Sequence, residues 1–144
     1  MIDALITRLK SNAPLLGERV EGAASLSAFM ASKEYPQTTP AAWVIPLTLG
    51  GGEAASSTGA HRQMLTRTIG VLWVVGYAGT VAGGELTADL AAIEAEIIAA
   101  LAGFVPVAGQ GALRLVRSGI DAQEDGFFFW QTEFAFTDQL RITS

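Results

Sequence analysis

Only one segment of the sequence brings a possible nucleophile close to a histidine that could act as its base. His61 is the only histidine, and Ser56 and Ser57 precede it in the segment Gly50 to Ala60, which reads GGGEAASSTGA. A serine nucleophile needs a histidine that a third group holds rigidly, and a glycine-rich segment offers no such support. We interpret His61 as a solvated residue at the start of a strand, and we expect no catalytic residue.

The densest cluster of carboxylates consists of Asp121, Glu124 and Asp125. A calcium loop needs alternating carboxylates that end in a bidentate glutamate, and this spacing is absent. We interpret the cluster as the charged turn of a hairpin. The chain also contains no cysteine, which excludes thiolate ligands and cysteine nucleophiles and is typical of a protein made in a reducing cytoplasm. We expect no metal and no cofactor.

Two glycine-rich segments could approach a phosphate group, but neither has the required context. Gly50 to Gly52 is followed by neither the Lys-Ser/Thr pair nor the helix of a phosphate loop. Gly83 and Gly84 precede a predicted helix, whose N-terminus would attract an anion. Glu85 places a negative charge at that helix start, so anion binding is disfavoured there.

The composition indicates a single domain over residues 1–144 with few charges. Apolar residues make up 50% of the chain and charged residues 16%, which is less charge than a small domain normally carries. Either the alanine and glycine content explains this, or neighbouring subunits cover part of the surface. The net charge of −5 argues against a nucleic-acid ligand. Glycines interrupt the longest uncharged runs, so we expect no membrane contact.

Half of the aromatic residues fall between Phe127 and Phe136, a stretch typical of a strand. Because side chains alternate along a strand, one face carries Phe128, Trp130, Thr132, Phe134 and Phe136. The other face carries Phe127, Phe129, Gln131, Glu133 and Ala135. Both faces are largely apolar, so both must be covered, either by the protein's own helices or by another copy. We expect the strand to be too apolar to be satisfied within a single molecule, so that it contributes to contacts between copies.

Four arginines interrupt largely apolar strand faces, where an unpaired charge would be costly. They are either solvated at the sheet margin or paired with carboxylates of a neighbouring subunit, for which Glu133, Asp138 and Glu96 are possible partners. With the aromatic strand, these observations predict a subunit or tube interface. Its candidate residues are Arg62, Arg67, Arg114, Arg117, Phe127, Phe129, Glu133 and Asp138.

Apolar periodicity predicts two main helices, from Ile2 to Leu9 and from Leu86 to Leu101. Ser25 to Met30 is predicted as a brief helical turn. Strands are predicted at 41–49, 62–77, 113–120 and 127–136, with a short edge strand at 20–22. The result is an α+β domain, in which helices pack on one face of a mixed, mainly antiparallel sheet of about four strands. Residues 50–60 are predicted to form a flexible hairpin loop.

Four further segments resemble a known family when taken in order along the chain. They are Met1 to Leu9 (MIDALITRL), Arg19 to Ala24 (RVEGAA), Pro40 to Leu47 (PAAWVIPL) and Phe134 to Leu140 (FAFTDQL). Together they resemble the tail terminator proteins of long-tailed bacteriophages, and the resemblance extends over nearly the whole chain. It includes the glycine-rich segment between the first two long strands.

The resemblance implies a structural, non-enzymatic virion protein that is assembled in the bacterial host cytoplasm. Such subunits form a homohexameric ring at the head-proximal end of the tail, where the ring stops tube growth and offers a surface for joining the head. Its partners would be the tail tube protein and a head-side neck or connector protein, with DNA passing through the bore. The resemblance carries over no catalytic residues.

Two other functions stay open at this point. One is a head-side neck or connector subunit, or a tail completion protein, because these are also small ring-forming α+β proteins. The other is a small cytoplasmic enzyme or ligand-binding domain, which would need a concave pocket with converging polar groups. The sequence offers no such set of groups beyond His61 and scattered carboxylates.

Overall fold

The computed structural model describes the whole chain except residues 33–35, 37, 58–59, 77–82, 125 and 144. Three α-helices and five strands form the fold, with a short 3₁₀ helix at Pro14–Leu16 after the first helix. In chain order they are α1 (Ile2–Asn12), β1 (Val20–Glu21), α2 (Ala23–Ser32), β2 (Ala41–Ser57), β3 (Ala60–Gly76), α3 (Gly83–Leu101), β4 (Arg114–Glu124) and β5 (Phe127–Thr143).

The five strands form one mixed sheet in the order β1-β2-β3-β5-β4. β1 runs parallel to β2, whereas the other neighbouring pairs are antiparallel. The α+β class is therefore confirmed. The fifth strand is the two-residue β1 at the sheet edge, the short edge strand predicted at 20–22.

Helices α1 and α3 cover one face of the sheet. The apolar side chains of both helices pack against buried side chains of β2, β3 and β5. Several side chains in this layer are fully buried. Burial of each large apolar side chain contributes roughly 1.5–3 kcal/mol, so this layer supplies most of the core. It includes Leu5, Leu9, Val44, Ile69, Val71, Trp73, Ile97, Leu101, Phe134 and Phe136.

Helix α2 lies against the opposite face, which differs from the sequence prediction that the helices share one face. The ring of Phe29 packs 5.1 Å from that of Trp43 and 6.1 Å from that of Phe129. Leu72 and Val74 complete this smaller cluster. The segment from Ser25 to Met30, predicted as a brief helical turn, is part of a ten-residue helix. Its apolar side chains cover the aromatic residues on this second face of the sheet.

The aromatic strand β5 is largely enclosed by the protein's own elements. Phe134 and Phe136 are buried beneath α1 and α3, and Phe129 is buried on the α2 face. Phe127 and Trp130 are half-buried. The expectation that a single molecule cannot satisfy this strand is therefore corrected, because the protein's own helices provide most of its cover.

The predicted long hairpin is present, but its loop is much shorter than predicted. β2 continues through the three glycines to Ser57 and pairs with β3 down to Ser57–Ala60. The prediction of a loop over 50–60 is corrected here, since backbone pairing, which needs no side chain, extends the ladder through the glycines. Residues 58 and 59 lie outside the described part. Pro46 in this strand predicts either an edge position or a bulge, because proline cannot donate a ladder hydrogen bond, and the ladder has a register shift between Pro46 and Thr48.

A chain of polar contacts joins α3 to three strands. The indole N–H of Trp73 donates to the Thr132 hydroxyl at 3.1 Å, and the Thr132 and Ser118 hydroxyl oxygens are 2.8 Å apart. Ser118 donates to the Glu94 carboxylate at 2.7 Å. Since the single Ser118 hydrogen is used there, Thr132 donates to Ser118. Glu94 also accepts from the Trp130 indole at 2.9 Å, so the carboxylate receives two donors.

We predict that Thr132→Val destabilises the fold by about 1–3 kcal/mol, because it leaves the buried Trp73 N–H without an acceptor. Urea unfolding followed by tryptophan fluorescence measures this change. Thr132→Ser keeps the hydroxyl, and Thr48→Val alters an exposed threonine; both should cost less. Equal stability of Thr132→Val and wild type would show that the polar chain does not support the fold.

Candidate assembly surfaces

Two of the four candidate arginines form ion pairs within the chain. Arg67 Nε lies 3.3 Å from Asp138 Oδ2, and Arg117 Nε lies 3.1 Å from Glu133 Oε2. Arg117 and Glu133 are direct neighbours across β4 and β5. The carboxylates named from the sequence are thus the partners, but they belong to the same chain. The prediction that they pair with a neighbouring subunit is corrected for these two contacts.

The remaining candidate residues divide into exposed and covered positions. Arg62 and Arg114 are exposed at the surface. Phe129 is only 8% exposed beneath α2, and Phe127 packs against the same cluster. Phe129 is therefore a core residue in this chain. The third carboxylate considered, Glu96, accepts the backbone N–H of Leu15 at 2.9 Å.

Strand β4 forms an exposed edge of the sheet. Nine of its eleven residues are exposed, and the other two are half-buried. Three large apolar side chains lie on it: Leu115 is 43% exposed, and Val116 and Ile120 are each 51% exposed. Register shifts interrupt its ladder with β5 at two places. A sheet edge with exposed apolar side chains and unpaired backbone groups invites pairing with another chain, so β4 is a candidate assembly surface.

The sequence pattern indicates Arg114 and Arg117 as interface residues but does not indicate Leu115, Val116 and Ile120. Large apolar residues in a strand are ordinary core residues unless the strand lies at the edge of the sheet, so only the strand order could have identified them. Strand order depends on pairing between residues far apart in the chain, such as Arg114 with Ala135.

The opposite edge of the sheet has a different surface. An open concavity of about 730 Å³ lies between β1, the start of β2 and α2. Its lining includes the exposed carboxylates of Glu18 and Glu21 and the aromatic rings of Phe29 and Trp43. Arg19 also contributes, and its Nε donates to the Pro40 carbonyl at 2.8 Å. The concavity therefore combines an aromatic floor with two acidic side chains at its rim.

The residues considered for chemistry lie on two separate parts of the sheet. His61 and Ser56 are Cα partners across β2 and β3, while Asp121 and Glu124 lie exposed on β4; Asp125 is outside the described residues. Among the side chains described, no group of three or more potential ligands could hold a metal ion. No described helix has the length and apolar character needed to cross a membrane.

Comparison with known proteins gives one family and one fold. The phage tail terminator protein family matches residues 2–144. A solved chain from the "Virion of native gene transfer agent (GTA) particle" superimposes with a TM-score of 0.60 and 18% identity, over 95% of this chain and 92% of that chain. No curated protein matches the sequence.

The structural likeness, at 18% sequence identity, shows a shared fold. The family match shows which family the chain belongs to, because it spans essentially the whole chain. It agrees with the order of segments at 1–9, 19–24, 40–47 and 134–140 from which the resemblance was drawn. The protein belongs to the phage tail terminator family and is a structural component of the phage tail.

Proposed function

We propose that six copies of this protein form a ring that caps the head-proximal end of the tail tube. The ring stops tube elongation and presents the surface to which the head is joined. This role is structural and involves no catalytic step. Family membership over residues 2–144 carries the proposal, and the gene transfer agent virion from which the matching fold comes supports a place in a tailed particle.

The two edges of the sheet support a ring in particular. A closed ring of identical subunits uses head-to-tail contacts, so each subunit needs two different surfaces that fit one another. β4 forms an exposed edge whose first part carries Leu115, Val116 and two arginines, whereas the β1 edge bears a concavity with two carboxylates in its lining. An isologous dimer would instead need one surface that fits itself.

The charge of the assembly suits passage of DNA without binding. Each copy carries a net charge of −5, so six copies carry 6 × (−5) = −30. Tight binding to DNA requires clustered lysine and arginine that displace counterions from the phosphates. An acidic ring lacks that driving force, and the genome can move through its bore.

Adding the purified protein to tail tubes that lack a terminator tests the proposed function. We expect electron micrographs to show a six-fold ring at one end of each tube and elongation by added tube protein to stop. Bovine serum albumin at equal concentration is the control and should leave elongation unchanged. Unchanged elongation with the protein present would contradict the proposal.

The same experiment includes purified DNA-filled heads, because the sequence left open a head-side neck or connector role. We expect rings on tubes and none on heads that have not met a tube. Rings on the heads alone would assign the protein to the head-side connector and overturn the terminator proposal.

We further predict no measurable retention of double-stranded DNA in a mobility-shift assay at physiological salt. The assay compares the free subunit with tube-bound rings at protein concentrations up to roughly 10⁻⁴ M, the weak end of ordinary non-specific binding. Micromolar binding that weakens steeply with added salt would show a basic DNA-contacting surface and contradict an acidic bore.

A further inference from the structure

We infer that β4 of one copy packs against the β1 edge of the next copy, with the Val116–Arg117 ridge in the concavity of that neighbour. This contact rests on the proposed ring and specifies which surfaces close it. The bound partner is thus a second copy of this chain. Three observations support this choice: the shape of the two surfaces, their charge, and their height on the sheet.

The shapes of the two edges are complementary. Val116 falls at a register shift between Leu115 and Arg117, where β4 has one more residue than β5. Such a bulge re-aims side chains and ends regular pairing, and Val116 is 51% exposed there. The concavity on the other edge has the half-buried ring of Phe29 in its lining, which an exposed valine can contact, whereas Trp43 beside it is only 5% exposed.

The charges are complementary where the Val116–Arg117 ridge would meet the concavity; Asp121 and Glu124 lie exposed further along β4, and the concavity lining also includes Arg19. The Arg117 side chain is 72% exposed although it contacts Glu133, so its guanidinium can bind a second carboxylate. Arg114 on the same edge is also exposed. The concavity presents Glu18 and Glu21. Opposite charges at the rim of a contact steer association and fix its register.

The two surfaces lie at nearly the same height on the sheet. One row of paired Cα atoms runs across it from Glu21 through Trp43, Leu72 and Gln131 to Gly119. Arg117 is two residues from Gly119 along β4. A sideways rotation about a ring axis therefore brings Arg117 of one copy close to the level of Glu21 in the next, without a large shift along the strands.

Glu21 and Arg117 also lie on the same side of the sheet. The Cα partner of Glu21 is Trp43, which belongs to the α2-side cluster. Arg117 pairs with Glu133, which is adjacent in sequence to Phe134 of the opposite cluster and so points to the α2 side. Both side chains are thus directed toward the face that contains the concavity.

Disulfide trapping tests this contact directly, because the chain contains no native cysteine. The double variant Glu21→Cys with Gly119→Cys places one thiol at each end of the Cα row. A Cβ added at Gly119 has no heavy atom within 4 Å, so the strand accommodates it. Within one copy the two positions are four strand spacings apart, about 19 Å. A disulfide needs Cα atoms within about 7 Å, so any bond must join two copies.

We expect mild oxidation of rings on tail tubes to give a reducible ladder of covalent multimers up to the full ring. Each single variant should give no ladder. The pair Glu21→Cys with Ala92→Cys, which uses an exposed position on α3, is the matched control and should also give none.

Two results would overturn the contact. Rings visible by electron microscopy without a ladder would mean that other surfaces close them, and the proposed function would stand. Dimers from Gly119→Cys alone would mean that β4 pairs with β4. If the wild-type protein forms no ring on tubes, the proposed function fails together with this inference, and micrographs of the same samples distinguish that case.

Discussion

The structure depends on one constraint, which is that β5 is apolar on both of its faces. A strand of this kind cannot lie at a solvent-exposed face, so one layer of the fold must cover each side. Helices α1 and α3 cover Phe134 and Phe136, and α2 covers Phe129. β5 lies between β3 and β4, so its backbone is paired on both sides, whereas β4 itself is largely exposed.

This arrangement determines where further copies can bind. Because α1 and α3 cover Phe134 and Phe136 and α2 covers Phe129 near the start of β5, we expect association to use the edges of the sheet and the surfaces beside them. The edges differ in shape and charge, which is the requirement for a ring rather than a two-fold dimer. In the proposed ring, the exposed apolar residues Leu115, Val116 and Ile120 on β4 would be buried between copies.

Local sequence patterns predicted the elements well and their spatial arrangement less well. The apolar stripe of α3, the alternation along β5 and the bulge at Pro46 each arise from residues close in sequence, and each was predicted, the bulge as an alternative to an edge position. The extension of β2 through Gly50–Gly52 was missed, because glycines carry no strand signal and pairing with β3 decides the outcome. From the sequence, Asp138 and Glu133 were possible partners of the arginines only in a neighbouring subunit, but the ion pairs Arg67–Asp138 and Arg117–Glu133 lie within one chain. Side-chain type reveals a partner but not its copy. The concavity at β1 could not be predicted, because it depends on the strand order and on the position of α2, and neither can be read from a short segment of sequence.

The central claim is that β5 is satisfied within one molecule and that the sheet edges join the copies. Hydrogen exchange of the free subunit and of the tube-bound ring tests it most directly, since amide protection reports which strands are already covered before assembly. We predict that the amides of β5 from Phe128 to Phe136 are protected equally in both states, whereas those of β4 gain protection only in the ring. Fast exchange of the β5 amides in the free subunit, followed by protection on assembly, would contradict the account.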